Sequence, residues 1–335
     1  METPYILGID ISKKTFNAAL TTDGSGMHET EVENNAKAIK AYFKDLKEKF
    51  RFSHEQLIVC MEHTGIYCLP LLDYLTQHEI KVCVEPALQI KQSQGMTRGK
   101  NDKVDAKRIA LYAYKNRQEL RFWKPQRVSV QKLKALLVLR ERLVKTKMQL
   151  EVPINETDEY IDESIRKAMI KNCRASVNAL AKDIANLEKE ILSLVASDTQ
   201  LKEQYKLVES VPGIGMITAL NVIVSTDEFQ RITEAKKFAC YAGVAPFENK
   251  SGTSRKGRSK VSKMANMTLK KLLHMGAMSA IQHCEEMKVF YHRKMAEGKN
   301  RMCVLNAVRN KLISRIFACI KNNRTYQKDF QYALV

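Results

Sequence analysis

Features that mark several other classes of protein are missing from this sequence of 335 residues. No apolar run approaches the roughly 20 residues of a membrane span, and the start METPYILGIDI lacks the basic segment and cleavage site of a signal peptide. The eight cysteines form no CxxC pair and no Cys/His ligand spacing, which argues against a zinc site and a disulfide framework. We therefore expect a cytoplasmic protein with reduced thiols and no membrane partner.

Acidic residues are also comparatively scarce. The chain has 37 Asp and Glu against 56 Lys and Arg, a formal net charge of +19. An excess of this size in a globular chain indicates a polyanionic partner, with nucleic acid ahead of an acidic membrane surface. Apolar residues make up 44% of the chain, enough for ordinary hydrophobic cores.

Four of these acids occupy informative positions. Asp10 closes the apolar run ILGIDIS and Glu62 closes LIVCME, while Asp102 and Asp105 stand three apart at the start of the helical pattern DKVDAKRIA. Any one of them alone is most simply a surface carboxylate. Together, at the ends of two strands and the start of a helix, they predict a site for Mg²⁺ or Mn²⁺, because such ions prefer hard oxygen ligands and in pairs catalyse phosphodiester chemistry.

The hydrophobic pattern divides the chain into three predicted domains. Residues 1–125 alternate three strands in a meander with helix and strand patterns, which predicts an α/β, ribonuclease H-like (RuvC-like) domain. Residues 126–204 predict two long helices, the first ending near Pro153. Residues 205–335 predict an all-α domain that contains a polar loop, FENKSGTSRKGRSK.

The second predicted helix of the middle domain has the a/d seam of a coiled coil. Its apolar residues alternate steps of three and four: Ile170, Cys173, Val177, Leu180, Ile184, Leu187, Ile191 and Leu194. With the preceding helix it predicts a protruding antiparallel hairpin. Such a hairpin is either a spacer arm or a dimerisation element, and an apolar seam that needs covering favours the second role.

Two motifs of the third domain suggest contact with nucleic acid. Gly213 and Gly215 in VPGIG fit either the turn of a helix-hairpin-helix, whose N–H groups bind phosphate, or a plain turn between helices. The basic strip that follows contains no acid and is suited to phosphate contacts. It consists of Arg255, Lys256, Arg258, Lys260 and Lys263. Ser251 before Gly252 is by residue type a turn residue, because no adjacent His or Asp activates it.

The order of these motifs resembles the bacterial insertion-sequence transposases known as the one-ten family. The resemblance spans nearly the whole chain, and several motifs in the right order make it specific. It rests on GIDISKKTFNAAL, MEHTGIYCLPLLDYL, VCVEPALQIKQSQGMTRGKNDKVDAKRIA, VPGIGMITAL and FACYAGVAPFENKSGTSRKGRSKVSKMANMTLKKLL.

The resemblance implies residue roles and partners. Asp10, Glu62, Asp102 and Asp105 would be DEDD metal ligands, and Ser251 would be a nucleophile that links covalently to DNA, with Thr253 and Ser254 as neighbouring alternatives. The partners it implies are donor and target DNA, a guide (bridge) RNA encoded by the element, and further copies of the chain in a dimer or tetramer.

Two other functions fit parts of the pattern. A branched-DNA endonuclease would use the same acids with water as nucleophile, but the long C-terminal domain argues against it. A non-catalytic nucleic-acid scaffold would not need all four acids. The leading hypothesis is therefore a recombinase that moves a DNA element.

Overall fold

The computed structural model describes residues 5–93, 102–156, 161–251, 255–261 and 264–328. Within these ranges it gives only the backbone of residues 102, 103, 155, 156, 248–251 and 255–260. The chain forms two compact units, Met1–Pro125 and Gln126–Val335. The predicted boundary between residues 204 and 205 stays a prediction.

The first unit is a mixed sheet with helices on both faces. Its described elements are, in chain order, β1 (Tyr5–Ile11), β2 (Thr15–Thr21), β3 (His28–Glu33), α1 (Ala36–Phe50), β4 (Leu57–Glu62), α2 (Leu69–Gln77), β5 (Lys81–Glu85), α3 (Ala87–Gln92) and α4 (Asp102–Lys115). The strand order is β3-β2-β1-β4-β5. The meander β1–β3 is antiparallel, and β4 and β5 run parallel to β1, each reached through a helical crossover. The predicted ribonuclease H-like plan is confirmed.

Alternation along the strands divides the sheet into two different faces. Leu7, Ile9 and Met61 point to one face and join a core with α1 and α2. Ile6 and Cys60 point to the other face and pack against α3 and α4. Successive side chains of a strand alternate between faces, so these sets define which face every other strand residue occupies.

The second unit is mostly helical, as expected. Its described elements are α5 (Val128–Glu156), α6 (Glu163–Ser197), α7 (Thr199–Glu209), α8 (Met216–Thr226), α9 (Ala235–Tyr241), β6 (Pro246–Ser251), β7 (Arg255–Val261), α10 (Met267–His283), α11 (Glu285–Ala296) and α12 (Arg301–Lys321). None of the described helices is both long and apolar enough to cross a membrane.

Helices α5 and α6 pair in opposite directions. Arg140 lies 2.6 Å from Glu188, and Leu133 and Leu137 share a core with Leu187. The prediction that the first helix ends near Pro153 is confirmed to within one turn, because α5 runs to Glu156. Pro153 stands in the last turn, where the missing N–H removes a single hydrogen bond and does not interrupt a long ladder.

Part of the predicted polar loop folds as a β-hairpin. Strand β6 pairs antiparallel with β7, with Pro246 opposite Val261, a bulge after Phe247, and Ser251 opposite Arg255. The many basic and polar residues obscured the strand pattern, since they have no apolar alternation. Helix α11 was likewise not predicted, because its apolar residues do not form one buried face: Met287 is buried, but Val289 is exposed.

The PGIG turn is explained by helix packing. Gly213 has φ +86°, and a Cβ there would lie 2.3 Å from the carbonyl oxygen of Gly276 in α10. This close approach and the positive φ both require glycine. Gly215, in contrast, has open space around it and is the N-cap of α8, which has no side-chain cap.

Candidate active site at the sheet edge

Strand register places a line of polar residues across the sheet. Asp10 lies opposite Asn17 of β2, and one step after the Ile9–Met61 pair it lies beside Glu62 of the parallel strand β4. Glu62 in turn lies opposite Glu85 of β5. At the other end, Asn17 lies opposite Glu31 of β3. We call Glu31, Asn17, Asp10, Glu62 and Glu85 the polar row.

The polar row points to the face covered by α4. Asp10 is two residues after Gly8, where a Cβ would lie 2.2 Å from the Ala110 nitrogen of α4. Glu62 and Glu85 are two residues after Cys60 and Cys83, which pack against Ile109 of α4. Because strand positions two apart share a face, the acids of the row at the carboxyl ends of β1, β4 and β5 point the same way.

Helix α4 brings its first turn to the same edge. A Cβ on Gly24, in the turn after β2, would lie 2.7 Å from the Tyr114 ring. Since β2 ends beside the start of β1, the C-terminal end of α4 lies there and α4 runs antiparallel to β1. Two strand residues span about 7 Å, equal to four or five helical residues. Asp10 is therefore level with the segment between Asp102 and Asp105.

The structure thus brings the backbones of all four predicted acids to one edge and face. Asp105 precedes Ile109 by one turn, on the side of α4 that covers β4 and β5. Its carboxylate accepts a hydrogen bond from Arg108 at 2.8 Å. The Asp102 side chain lies outside the described residues, and among those described no three potential ligands are close enough to hold an ion.

The potential metal ligands at this edge of the sheet are carboxylate oxygens. Glu85, which is 9% exposed, accepts a hydrogen bond from the Cys83 thiol at 3.2 Å. A hydrogen bond that the Cys60 thiol donates to Cys83, together with burial, raises the pKa of Cys60 well above its usual range, so Cys60 stays protonated. Carboxylates without thiolates suit Mg²⁺ or Mn²⁺ and fit the expected ion.

Glu85 was missed at the sequence level. Its signal was present, because Glu85 closes the apolar run KVCV in the same way that Glu62 closes LIVCM. What the sequence does not show is that Glu85 lies opposite Glu62, which depends on strand register.

The other predicted site residues lie in the second unit. Ser251 ends β6 and pairs with Arg255. The register pairs Lys256 with Lys250 and Lys260 with Phe247, and the bulge between these pairs gives β7 one residue more than β6, which interrupts the regular alternation along β7. The side chains of Ser251, Arg255, Lys256, Arg258 and Lys260, and all of Thr253, Ser254 and Lys263, lie outside the described residues.

Two transposase profiles match this chain. One, the DEDD transposase profile of the IS110 group, matches residues 7–157. The other, described as "Transposase IS116/IS110/IS902 family", matches residues 205–292. Together they cover more than half of the sequence and include every predicted site residue.

Two relatives match two thirds or more of this chain. The chain is 29% identical to the pilin gene-inverting protein of Moraxella lacunata, over 98% of this chain and 99% of that protein. It is 27% identical to the transposase for insertion sequence element IS1111A of Coxiella burnetii, over 68% of each. Among solved structures, Thermus thermophilus RuvC in complex with a Holliday junction substrate matches at 14% identity and TM-score 0.29, covering 36% of this chain and 99% of RuvC.

Proposed function

Because the chain belongs to the IS110 family of transposases, we propose that it breaks and rejoins DNA with a carboxylate-held metal site and a serine nucleophile. The metal ligands are Asp10, Glu62, Asp102 and Asp105, and the nucleophile is Ser251. The observation that carries the proposal is the convergence of the four acids on one edge and one face of the first unit.

The carboxylates are suited to holding Mg²⁺ or Mn²⁺, which when bound supplies a positive charge that activates the attacking oxygen and stabilises the leaving oxygen. Asp10 and Glu62 extend from paired strands, which makes their spacing rigid. Asp105 is paired with Arg108 at 2.8 Å and would give up this partner in order to hold the ion. Arg108 then remains beside the site as a cation that can contact DNA phosphate.

Ser251 forms the covalent link. Its oxygen bonds to phosphorus, the bond between phosphorus and the sugar oxygen breaks, and the proton lost by the serine is balanced by the proton gained on the freed sugar hydroxyl. A hydroxyl from another strand then reverses the step and completes the exchange. Because Ser251 and the acids belong to different units, both must reach one phosphate, from one chain or from two copies.

The partners of this reaction are donor DNA, target DNA and a guide RNA from the element. The net charge of +19 supports binding of several nucleic-acid strands at once. The basic strip on β7 and the open N-terminus of α8 at Gly215 supply phosphate contacts. The chain acts as a dimer or tetramer whose copies associate through α5 and α6.

The serine is tested with a suicide DNA substrate on a denaturing gel. Wild-type protein should form a covalent adduct, Ser251→Ala should form none while still binding DNA, and Thr253→Ala and Ser254→Ala should match wild type. An adduct that survives Ser251→Ala would move the role to another hydroxyl. Strand cleavage without any adduct would favour a branched-DNA endonuclease that uses water.

The acids are tested by Asp10→Asn, Glu62→Gln and Asp105→Asn. Each should abolish strand exchange and leave folding and DNA binding intact, because removal of one ligand unbalances both ions of a paired site. Two variants that recombine DNA at near wild-type rates would rule out the metal site.

A second outcome of the same chemistry is inversion of a DNA segment. The pilin gene-inverting relative aligns with almost the whole chain, which is the observation that favours it. A plasmid with two recombination sites in inverted orientation distinguishes the outcomes, since inversion retains the segment and excision loses it.

A further inference from the structure

Arg309 of α12 is a buried cation without a carboxylate partner in the described part of the second unit. It is 5% exposed. Its Nη2 lies 2.6 Å from Nδ1 of His274, its Nη1 lies 3.4 Å from Oδ1 of Asn306, and its Nε has no hydrogen-bond partner. Since an arginine keeps its proton in proteins, α12 contains a desolvated positive charge that only neutral groups contact.

Three other arginines of this unit are paired with acids. Arg127 lies 2.8 Å from Glu228, Arg140 lies 2.6 Å from Glu188, and Arg315 of α12 is paired with Glu286. A buried charge without an opposite charge weakens a fold. Arg309 therefore costs stability that a bound anion would restore.

The ring of His274 contacts Arg309, and His274 is only half-buried. Nδ1 of His274 accepts from the guanidinium, which places the ring proton on Nε2. Burial and the charge of Arg309 lower the pKa of His274, so the ring is neutral at neutral pH. Because Nδ1 of His274 is the acceptor at Nη2, an anion that binds there takes the place of His274 as acceptor.

Arg309 lies beside the base of the β6–β7 hairpin. Asn306, one turn before Arg309, donates from Nδ2 to the carbonyl oxygen of Val244 at 2.6 Å, two residues before β6. After β7, the backbone N–H of Asn266 donates to Tyr241 at 2.9 Å. Ser251 is five residues beyond Pro246, the first residue of β6, and therefore lies about 17 Å from the base of the hairpin.

We propose that Arg309 binds a backbone phosphate of the nucleic acid, and that this phosphate is a different one from the phosphate attacked by Ser251. The guanidinium fork matches two phosphate oxygens, and the ion pair satisfies the orphaned Nε and the unpaired charge. Contact at the hairpin base fixes the position of the strand that the hairpin tip must reach. This inference rests on the proposed DNA recombinase function.

The test measures affinity for a DNA duplex against salt concentration. Arg309→Met should lower affinity at fixed salt roughly tenfold and reduce the log–log salt slope by about 1, because one phosphate contact is lost. Arg309→Lys should retain the slope and lose part of the affinity, because a lysine keeps the charge without the fork. Inorganic phosphate should raise the Tm of wild type more than that of Arg309→Met.

The matched control is Arg315→Met, which removes a paired arginine of the same helix. It should lower the Tm and leave the salt slope unchanged, whereas Arg309→Met without nucleic acid should have an unchanged or higher Tm. A structural role for Arg309 predicts the opposite pattern, a lower Tm with an unchanged slope, and that result would overturn the inference. If wild-type protein bound no DNA, the proposed function itself would fail.

Discussion

At the scale of single residues, the candidate active-site edge is defined by which side chains share the face under α4. Asp10, Glu62 and Glu85 end three adjacent parallel strands at the same level. Glu85 is the most buried of them. Among the described residues, the hydrogen-bond partner of its carboxylate is the Cys83 thiol, which is a weak donor. A buried carboxylate with so weak a partner is suited to supporting a nearby cation.

We therefore expect Glu85→Gln to weaken Mn²⁺ binding roughly tenfold, a magnitude typical of groups that support metal ligands. Isothermal titration calorimetry of the folded variant measures this directly. Glu31→Gln is the matched control, because Glu31 is the exposed end of the same polar row on β3. Equal affinities for both variants would show that Glu85 has no influence on the ion.

The contribution of Asp198 to the stability of the fold depends on pH. Burial raises its pKa, but hydrogen bonds from Arg127 and from the Leu201 N–H outweigh burial and lower the pKa to about 2. Because the folded-state value is below the ordinary value of 3.8, this stability is present above about pH 4 and is lost as the pH falls toward 2.

Asp198→Asn should lower the free energy of unfolding by about 2 kcal/mol at pH 7, and the difference from wild type should shrink below pH 4. Asparagine keeps the N-cap of α7, so the comparison isolates the charge. Urea denaturation at pH 7, 5 and 3 measures it. A difference independent of pH would mean that charge is not the cause.

At the scale of elements, the β6–β7 hairpin presents most of the basic strip on one strand. Replacing Arg255, Lys256 and Arg258 together by alanine should reduce the log–log salt slope of DNA binding by roughly 3 and weaken all DNA sequences equally, because phosphate contacts do not distinguish bases. Filter binding across salt concentrations gives the slope. Removing Lys167, Lys171 and Lys182 from α6 is the charge-matched control, and an equal effect of both sets would indicate a general charge effect instead of a hairpin contact.

At the scale of the whole molecule, the α5–α6 pair has a seam of two parts. Leu187 and Ile191 are buried against α5, whereas Cys173, Val177 and Leu180 are only half-buried within the chain. A half-buried apolar stripe is the surface that association of two copies would cover.

Leu180→Lys should therefore convert an oligomer into a monomer without loss of helix content, as measured by light scattering and circular dichroism. Leu187→Lys should instead lower the Tm, because it places a charge in the core of the second unit. A monomeric wild type would remove the basis of this prediction.

Much of the fold was predictable because local patterns determine it. The alternation in YILGIDIS and LIVCME and the spacing in AKAIKAYFKDLKEKF report on burial of each element separately. The hairpin and α11 were not predictable in this way, because their sequences are polar and their conformation depends on neighbours. Pro153 was interpreted as a signal for the end of the helix, and α5 ends within one turn of it.

The sequence by itself determined the kind of chemistry: the acids at strand ends, the basic strip and the order of family motifs are properties of the chain. Only the tertiary structure decided which groups meet. Strand register added Glu85 to the row of Asp10 and Glu62, and the direction of α4 brought Asp105 to them. Helix packing left Arg309 without an acid among the described residues. These arrangements join residues that are far apart in the sequence. The positions of these residues depend on packing between elements, and local periodicity contains no information about that packing.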